Sequence, residues 1–312
     1  MQDNIDDCLF VNRGVKVAYD APAMKILLTG ANGQLGSDLR PALARHNVIA
    51  TTRSELDVTQ PALLREALAA HKPDLVLNTT AFNKVDAAEA DASEALRVNA
   101  FAAQQLALAC RDHDIALMHI STDFVFDGAK RAPYVESDLP NPLCAYGTSK
   151  HAGELLVRAA WPKHYLVRTC GLYGVAGSSG KGGNFVNTML RLAREHKPIK
   201  VVGDQICTPT STQDLAAQLA VLIETKAYGT YHVNNHGTCS WHEFAAEIFC
   251  LAGLQPDLGA ISSQQFGAAA VRPPYSVLQN AALQKLGIDQ MRDWHEALAE
   301  YVALVSKPRR DQ

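Results

Sequence analysis

The sequence KILLTGANGQLG (residues 25–36) joins an apolar run to a turn in which glycines recur three residues apart. The apolar run has the length and composition of a buried strand, and a helical period begins after the turn. Glycines in such a turn let backbone N–H groups approach a pyrophosphate, whose charge is favoured at a helix N-terminus. The order of strand, glycine turn and helix therefore predicts a dinucleotide site. Its candidate cofactor-binding residues are Gly30, Asn32, Gly33, Gln34, Leu35 and Gly36.

Apolar runs of strand length alternate with helical periods through the rest of the chain, as in βαβ units. This alternation predicts an α/β fold: a doubly wound parallel sheet of the Rossmann type, with a smaller C-terminal substrate-binding lobe. The candidate strands are 25–29, 48–51, 75–78, 116–121, 165–168, 201–202 and 230–234. The candidate helices are 34–45, 60–71, 85–112, 146–160, 184–196, 212–224, 240–252, 279–287 and 293–305.

The same pattern predicts how the chain is divided. We expect residues 24–170 and 212–234 to form the dinucleotide-binding domain. Residues 171–211 and 235–312 would form the substrate-binding lobe, entered through a glycine-rich loop or lid that begins near 171. Residues 1–23 carry early aspartates and no apolar core, so we expect an N-terminal extension rather than a signal peptide.

Composition excludes several classes of protein. Of 312 residues, 47% are hydrophobic and 20% charged, the net charge is −3, and the basic residues are scattered, so nucleic acid is not an expected partner. No segment approaches the roughly 20 apolar residues that cross a bilayer. The seven cysteines include no C-x-x-C pair, which favours reduced thiols and a cytoplasmic location. His232 and His236 are four residues apart, but the first lies in a candidate strand, and we predict no metal site.

The choice of dinucleotide is decided about 20 residues beyond the glycine turn, where an acid binds a ribose hydroxyl and an arginine accommodates a 2′-phosphate. Arg53 stands there, followed by Asp57 and Val58, which could hold the adenosine end. The arginine favours NADPH as the cofactor. NADH stays possible because acidic residues follow closely.

Hydroxyl groups and an ammonium point to acid–base chemistry further along the chain. Thr122 ends a predicted strand at the carboxyl edge of the sheet, where such folds bind ligands. Tyr146 and Lys150 are one helical turn apart. A tyrosine has an ordinary pKa of ~10, and we expect the ammonium to lower the pKa of Tyr146 toward the working range. We therefore predict Thr122, Tyr146 and Lys150 as catalytic residues.

These motifs carry a resemblance to a known family. The chain resembles the extended short-chain dehydrogenase/reductases and, among them, the dTDP-4-dehydrorhamnose reductases. The resemblance covers most of the chain and rests on TGANGQLG (29–36), STDFVFDG (121–128), YGTSK (146–150), RTCGLYG (168–174) and DQICTPT (204–210). The second and last of these are the most specific.

The resemblance implies hydride transfer from NADPH to the 4-keto carbon of a dTDP-6-deoxyhexulose, giving dTDP-L-rhamnose. It implies cofactor contacts for Thr80, Ala81 and Asn99, the last buried near Lys150. It also implies substrate contacts for Asp123, Phe124, Asn184 and Arg272, with Arg272 at the diphosphate. Gly171 departs from the family, which usually has a tryptophan there, and this puts the identity of the sugar in doubt. A homodimer is compatible with the sequence.

Other functions remain open at this stage. A nucleotide-sugar 4,6-dehydratase is disfavoured because Asp123 is followed by Phe124 and not by a second acid. Another nucleotide-sugar 4-keto reductase, an epimerase that retains its cofactor, and a non-catalytic NADP-binding regulatory subunit all share the cofactor turn. Trp241 and Trp294 begin helical apolar stripes, which we interpret as core packing.

Overall fold

Strands and helices alternate along the chain much as the sequence predicts. The computed structural model describes residues 22–176 and 183–306. In its first part the elements are β1 (Lys25–Thr29), α1 (Gln34–Ala42), β2 (Asn47–Thr51), α2 (Pro61–His71), β3 (Leu75–Asn78), α3 (Val85–Ala90), α4 (Ser93–Leu96), a π-helical turn (Arg97–Phe101), α5 (Ala102–Asp112), β4 (Ala116–Thr122), a 3₁₀ turn (Asp123–Val125), α6 (Ala145–Ala160), β5 (His164–Thr169) and β6 (Leu172–Tyr173). In its second part they are α7 (Phe185–Arg194), β7 (Ile199–Val202), β8 (Ile206–Cys207), β9 (Thr210–Ser211), α8 (Thr212–Leu222), a 3₁₀ turn (Ile223–Thr225), β10 (Gly229–His232), β11 (Cys239–Ser240), α9 (Trp241–Ala252), β12 (Leu258–Ile261), α10 (Ser263–Phe266), α11 (Ala281–Leu286) and α12 (Trp294–Val305).

Six strands form the central sheet in the order β2-β1-β3-β4-β5-β10. All the pairings are parallel, with Leu27 opposite Ile49 on one side and Val76 on the other. The strand order reverses direction at β1 and β3, and this reversal opens a crevice at the carboxyl ends of the strands. The predicted doubly wound parallel sheet is confirmed.

Alternate residues of β1 face two separate cores. Ile26 and Leu28 pack with α1 and α8 on one face of the sheet, whereas Leu27 packs with α2, α5 and α6 on the other. A parallel strand buried on both faces reads as a continuous apolar run, which is why the sequence of β1 shows no alternation. The strand that leads into the glycine turn is therefore packed on both faces.

The C-terminal lobe has a third core. Helices α7, α9 and α12 pack around Tyr173, Phe244 and Trp294, all of them buried. Three two-stranded pairs, β11 with β8, β12 with β7 and β6 with β9, connect this lobe to the loops above the sheet. The lobe thus covers the crevice from one side. The predicted extension and glycine-rich loop lie mainly outside the described residues, which exclude 1–21 and 177–182.

One predicted element is wrong. The sequence predicts a single helix over 85–112, but the chain leaves the helix at Asp91, whose backbone is extended. The Asp91 carboxylate accepts the N–H of Ser93 at 2.8 Å, a local bond that competes with helix continuation. Six residues after Asp91, at Arg97, the helix widens into the π-helical turn. The apolar spacing continues across both interruptions, so periodicity alone does not reveal them. The last strand also ends earlier than predicted, at His232.

Two further findings bear on the class of protein. No helix in the described ranges is both long and apolar enough to cross a membrane. The six cysteines that fall in those ranges are all free thiols.

Candidate active site

A cavity of about 1040 Å³ runs along the carboxyl edge of the sheet, between the glycine turn and the C-terminal lobe. It brings together residues that are far apart in sequence. Of the predicted cofactor residues, it is lined by Gly30, Asn32, Gly33, Gln34, Leu35, Arg53, Asp57, Val58, Thr80, Ala81, Tyr146 and Lys150. Of the others, it is lined by Thr122, Asp123, Phe124, Asn184 and Arg272. Gly36 and Asn99 are not among the lining residues.

The glycine turn presents a helix N-terminus to the cavity. The Gly33 N–H donates to the Gly30 carbonyl at 2.9 Å, and α1 begins one residue later with no side chain capping it. Uncapped N–H groups and the positive end of the helix dipole make such a terminus an anion site. Gly36 contributes from behind, since a Cβ there would lie 2.3 Å from the Gly30 carbonyl oxygen. Gly36 therefore allows the turn to close rather than lining the site.

Arg53 and Asp57 lie at the far end of the cavity. Asp57 accepts hydrogen bonds from the N–H and the hydroxyl of Thr59, at 2.9 and 2.8 Å. The guanidinium of Arg53 is 72% exposed and lies 3.6 Å from the Asp57 carboxylate. An exposed guanidinium so loosely held is free to turn toward a phosphate. The pair thus offers a carboxylate and a cation at the place where the sequence predicts the adenosine ribose.

Replacing Arg53 tests the predicted cofactor choice. We expect Arg53→Ala to raise the Kd for NADPH about tenfold, because a charge-assisted bond to the 2′-phosphate is lost. The Kd for NADH should change less than about twofold, since NADH has no phosphate at that position. Titration of the protein with each cofactor measures both values, and Arg65→Ala, an exposed arginine on α2, is the matched control. An equal loss for both cofactors would contradict a role at the 2′-phosphate.

A buried amide holds the loop that carries Thr80 and Ala81. The Asn78 side-chain oxygen accepts the N–H and hydroxyl of Thr80 and the hydroxyl of Thr29, between 2.5 and 3.1 Å. Its nitrogen lies 3.0 Å from His119 Nδ1. Sequence reasoning assigned no role to Thr29 or His119. Each of the three apolar strands β1, β3 and β4 contains one of these polar residues, Thr29, Asn78 or His119, and that pattern could have indicated a buried polar cluster.

Of the predicted acid–base pair, Lys150 is buried and Tyr146 is half-buried. Tyr146 lies within hydrogen-bonding reach of Thr122, whose hydroxyl donates to Asp123 at 2.9 Å. Burial raises the pKa of Tyr146 well above its ordinary value, the Asp123 charge raises it further, and the Thr122 bond only partly opposes this. The expectation that Lys150 lowers the pKa of Tyr146 is therefore wrong. The phenol keeps its proton, as a group that must donate one requires.

Lys150 is held by the strand instead. Its Nζ donates to the Ile120 carbonyl at 2.6 Å, and its side chain is buried in the cavity wall. Burial lowers the pKa of Lys150 to about 8, although the nearby charge of Glu154 opposes the shift. Helical spacing correctly placed Tyr146 and Lys150 on one face, but burial decides their charges. Lys150 is therefore cationic at neutral pH and neutral in moderate alkali.

The pKa of Lys150 predicts a limit to activity in alkali. Because kcat/KM reports ionisations of the free enzyme, we expect it to fall about tenfold per pH unit above about pH 8, as the Lys150 ammonium loses its proton. A pH series of initial rates of NADPH oxidation measures this. Lys150→Arg, which keeps its charge, should be less active but should show no such fall before about pH 10. An alkaline limb that persists unchanged in Lys150→Arg would assign it to another group.

Asn99 lies behind the cavity wall, in the π-helical turn. Its amide donates to the Ser149 hydroxyl at 2.9 Å and to the Phe82 carbonyl at 3.0 Å, and its oxygen accepts the Phe82 N–H. It therefore ties the Thr80 loop to the residue next to Lys150. The predicted burial of Asn99 is confirmed. The described contacts of its amide are to the protein, and its cofactor contact stays a prediction.

Asp123 and Cys170 form the floor of the cavity beside Thr122. The Cys170 thiol donates to Asp123 at 3.0 Å, and both side chains are buried. A hydrogen bond with Cys207 and burial raise the pKa of Cys170, and burial also raises the pKa of Asp123. A protonated thiol is not a nucleophile. Cys170 therefore packs the floor, and Asp123 is an acidic group in direct contact with Thr122.

Two predicted substrate residues already have protein partners. Asn184 caps α7 through the Asn187 N–H at 2.9 Å, and its amide donates to the Gly174 carbonyl. Arg272 makes two bonds with Asp86, at 2.7 and 3.1 Å. Asn184 therefore acts as a helix cap at the cavity edge, which its sequence position did not show. Arg272 lies at the cavity but would have to exchange Asp86 for a substrate phosphate.

Fold and site together define an NAD(P)-dependent oxidoreductase of the extended short-chain dehydrogenase/reductase type. Comparison with known proteins identifies the family within this class. The family described as RmlD substrate binding domain matches residues 24–307, and the chain belongs to it.

Individual relatives agree with this family. The chain is 39% identical over 280 residues to the spore coat polysaccharide biosynthesis protein SpsK of Bacillus subtilis, covering 89% of this chain and 96% of the relative. It is 38% identical over 289 residues to the dTDP-4-dehydrorhamnose reductase of Aggregatibacter actinomycetemcomitans, covering 88% and 97%. Among solved structures, the dTDP-4-dehydrorhamnose reductase of Bacillus anthracis in complex with NADP is 39% identical, with a TM-score of 0.86 and coverage of 90% and 99%. The reductase of Clostridium acetobutylicum is 42% identical, with the same TM-score and coverage.

Proposed function

We propose that this protein uses NADPH to reduce the 4-keto group of dTDP-4-dehydro-L-rhamnose, giving dTDP-L-rhamnose. The observation that carries the proposal is the pair of hydroxyls that line the cavity at the carboxyl edge of the sheet. Tyr146, protonated, lies beside Thr122, with the Lys150 ammonium below. Relatives named as dTDP-4-dehydrorhamnose reductases support the choice of substrate.

The glycine turn and the far end of the cavity fit a dinucleotide. The uncapped N-terminus of α1 would hold the pyrophosphate, Arg53 and Asp57 the adenosine ribose, and Lys150 the nicotinamide ribose. When bound, NADPH supplies the hydride that reaches C4. The cavity, of about 1040 Å³, is at the upper end of the range of about 300–1,000 Å³ that is common for ligand pockets.

The side chains act on the carbonyl oxygen. When substrate binds, the Thr122 hydroxyl exchanges Asp123 for this oxygen as its acceptor. Together with the Tyr146 hydroxyl it then donates hydrogen bonds that polarise the carbonyl and favour attack at C4. As negative charge develops on the oxygen, the Tyr146 hydroxyl gives up its proton to it. The Lys150 ammonium then stabilises the phenolate that is left. Each residue thus acts on charge that is greater in the transition state than in the ground state.

Asp123 and Phe124 favour reduction over elimination. Elimination of water needs two positioned acid–base groups, but the ring of Phe124 packs edge-on against Tyr146, with centroids 5.7 Å apart. An apolar ring therefore occupies the position that a second acid would need.

Turnover with identified product tests the proposal. Purified protein is mixed with NADPH and dTDP-4-dehydro-L-rhamnose, oxidation is followed by absorbance, and the sugar is identified by NMR. We expect stoichiometric NADPH loss and dTDP-L-rhamnose. The C4 epimer as product would indicate another 4-keto reductase. NADPH binding without turnover would favour a regulatory subunit. A cofactor that stays bound through purification would favour an epimerase.

The remaining assignments belong to the same proposal. We assign residues 24–170 and 212–234 to the dinucleotide-binding domain and 171–211 and 235–312 to the substrate-binding lobe. The free thiols support a reducing, cytoplasmic compartment. We also propose a homodimer, which size-exclusion chromatography with light scattering can test.

A further inference from the structure

Residue 171, a glycine, contributes only backbone to the cavity wall. Gly171 follows the floor residue Cys170, and its φ is +55°. A Cβ built there would lie 3.4 Å from the outer edge of the Trp241 indole and 3.2 Å from the Pro209 backbone. The indole of Trp241 therefore lies over Gly171 and takes up the space that a side chain at 171 would occupy.

The indole is held firmly in this position. Trp241 is the first residue of α9, and Ser240 and Glu243 fix the start of that helix through a reciprocal capping box with bonds of 3.1 and 2.7 Å. The preceding strand pairs with β8, which places Ser240 opposite Ile206. The Phe185 ring packs against the indole, with centroids 4.8 Å apart. The side chain thus has neighbours that fix both its backbone and its ring.

Trp241 differs from the core residues in its stripe. Trp241 and Phe244 both line the cavity, but Phe244 and Ile248 are fully buried, whereas Trp241 is only partly buried. The interpretation of Trp241 as core packing is therefore incomplete. Within the described parts of the chain, its indole N–H has no hydrogen-bond acceptor. An aromatic ring with one face packed, another open and a free donor is suited to binding a partly apolar ligand.

The position of Trp241 relative to the reacting groups is set by direct contacts. Thr122 and Cys170 both donate hydrogen bonds to Asp123. Gly171, which lies beneath the indole, follows Cys170 in the chain. A carbonyl held by Thr122 and Tyr146 therefore has its ring next to Gly171. The glycine turn lines the other side of the cavity from Trp241, so the sugar ring would lie on the side of the C-terminal lobe.

We propose that the Trp241 indole is the specificity-determining wall for the sugar, packing against the apolar C–H face and methyl group of a 6-deoxyhexulose over Gly171. This inference rests on the proposed function, since it concerns the same keto sugar. A 6-deoxy sugar has a methyl group where other hexoses have a hydroxymethyl group, and burial of that methyl against an aromatic ring favours binding.

Substitution separates this role from a structural one. In Trp241→Ala we expect the KM for dTDP-4-dehydro-L-rhamnose to rise about tenfold, with kcat and the KM for NADPH changed less than about threefold. Trp241→Phe should be intermediate. The control is Trp161→Phe, whose indole lies outside the cavity and donates to the Ile115 carbonyl. An unchanged sugar KM in Trp241→Ala, with wild-type turnover normal, overturns the inference and leaves the proposed function intact.

Fluorescence gives a second readout that does not need turnover. The chain has three tryptophans, so Trp241→Phe removes one fluorophore and leaves two. We expect dTDP-L-rhamnose, added to protein saturated with NADP⁺, to quench the emission of wild type and of Trp161→Phe but not of Trp241→Phe. Quenching that survives in Trp241→Phe overturns the inference. If the wild-type protein shows neither turnover nor fluorescence quenching, both the proposed function and this inference are contradicted. Quenching without turnover supports this inference alone.

Discussion

Tyr146→Phe should lower kcat about 10³-fold while the Kd for NADPH stays within about twofold of wild type. The substitution removes one hydroxyl from a ring packed against Phe124, so the cavity keeps its shape. It also removes the proton that the carbonyl oxygen must receive, and positioned general acids commonly contribute about 10²–10⁴-fold. Burial keeps that proton on the phenol at working pH, because it raises the pKa of Tyr146. Stopped-flow oxidation of NADPH and a cofactor titration measure the two effects.

Tyr228→Phe is the control for Tyr146→Phe, because Tyr228 is an exposed tyrosine that packs on Tyr165 away from the cavity. It should leave turnover unchanged. If Tyr146→Phe kept more than about a tenth of the wild-type kcat, the proton would have to come from another group, and the proposed mechanism would be wrong. Asp123 would then be the next candidate, because burial raises its pKa as well.

Residues that act through local spacing could be predicted from the sequence. Strand β3 falls on the predicted residues, and the glycine turn begins α1 at the predicted position. Tyr146 and Lys150 share one face of α6, as their spacing requires. In each case the relevant neighbours lie within a few residues, so periodicity and turn chemistry contain the information.

Features that depend on distant partners could not be predicted in this way. Arg272 pairs with Asp86, which is 186 residues away, and the Asn78 amide contacts His119 on the neighbouring strand. The pKa of Tyr146 is a further case, because helical spacing alone indicates an ammonium nearby but not how deeply the pair is buried. Burial is a property of the assembled sheet and lobe, so the sign of that shift required the structure.

Glu154 connects the stability of the fold to the charge of Lys150. Its carboxylate accepts two bonds from Arg168, at 2.9 and 2.7 Å, and one from Ser121 at 2.6 Å, with all three side chains buried. Burial by itself would raise the pKa of Glu154, but the bonds and charge of Arg168 hold it well below its ordinary value. Because the folded pKa is depressed, this contribution to stability is present above about pH 4.5 and is lost on acidification.

Glu154→Gln should therefore have two effects. It leaves the Arg168 guanidinium buried without a counter-charge, and we expect the free energy of unfolding in urea to fall by about 3–5 kcal/mol. It also removes the charge that raises the pKa of Lys150, so the alkaline limb of kcat/KM should move to lower pH. Glu66→Gln, an exposed glutamate on α2, should do neither. Wild-type stability in Glu154→Gln would show that the pair is not what holds α6 to β5.

The pairing itself can be separated from the simple loss of a carboxylate. Replacing both partners by Glu154→Gln and Arg168→Met removes the buried charge altogether, so the double variant should be more stable than Glu154→Gln alone. The alkaline limb should nevertheless stay at its lowered pH, because the pKa of Lys150 depends on the charge of Glu154 and not on that of Arg168. Stability that recovers while the pH profile does not would show that one carboxylate serves two separate functions: it neutralises Arg168 beneath the sheet, and it keeps Lys150 protonated beside Tyr146.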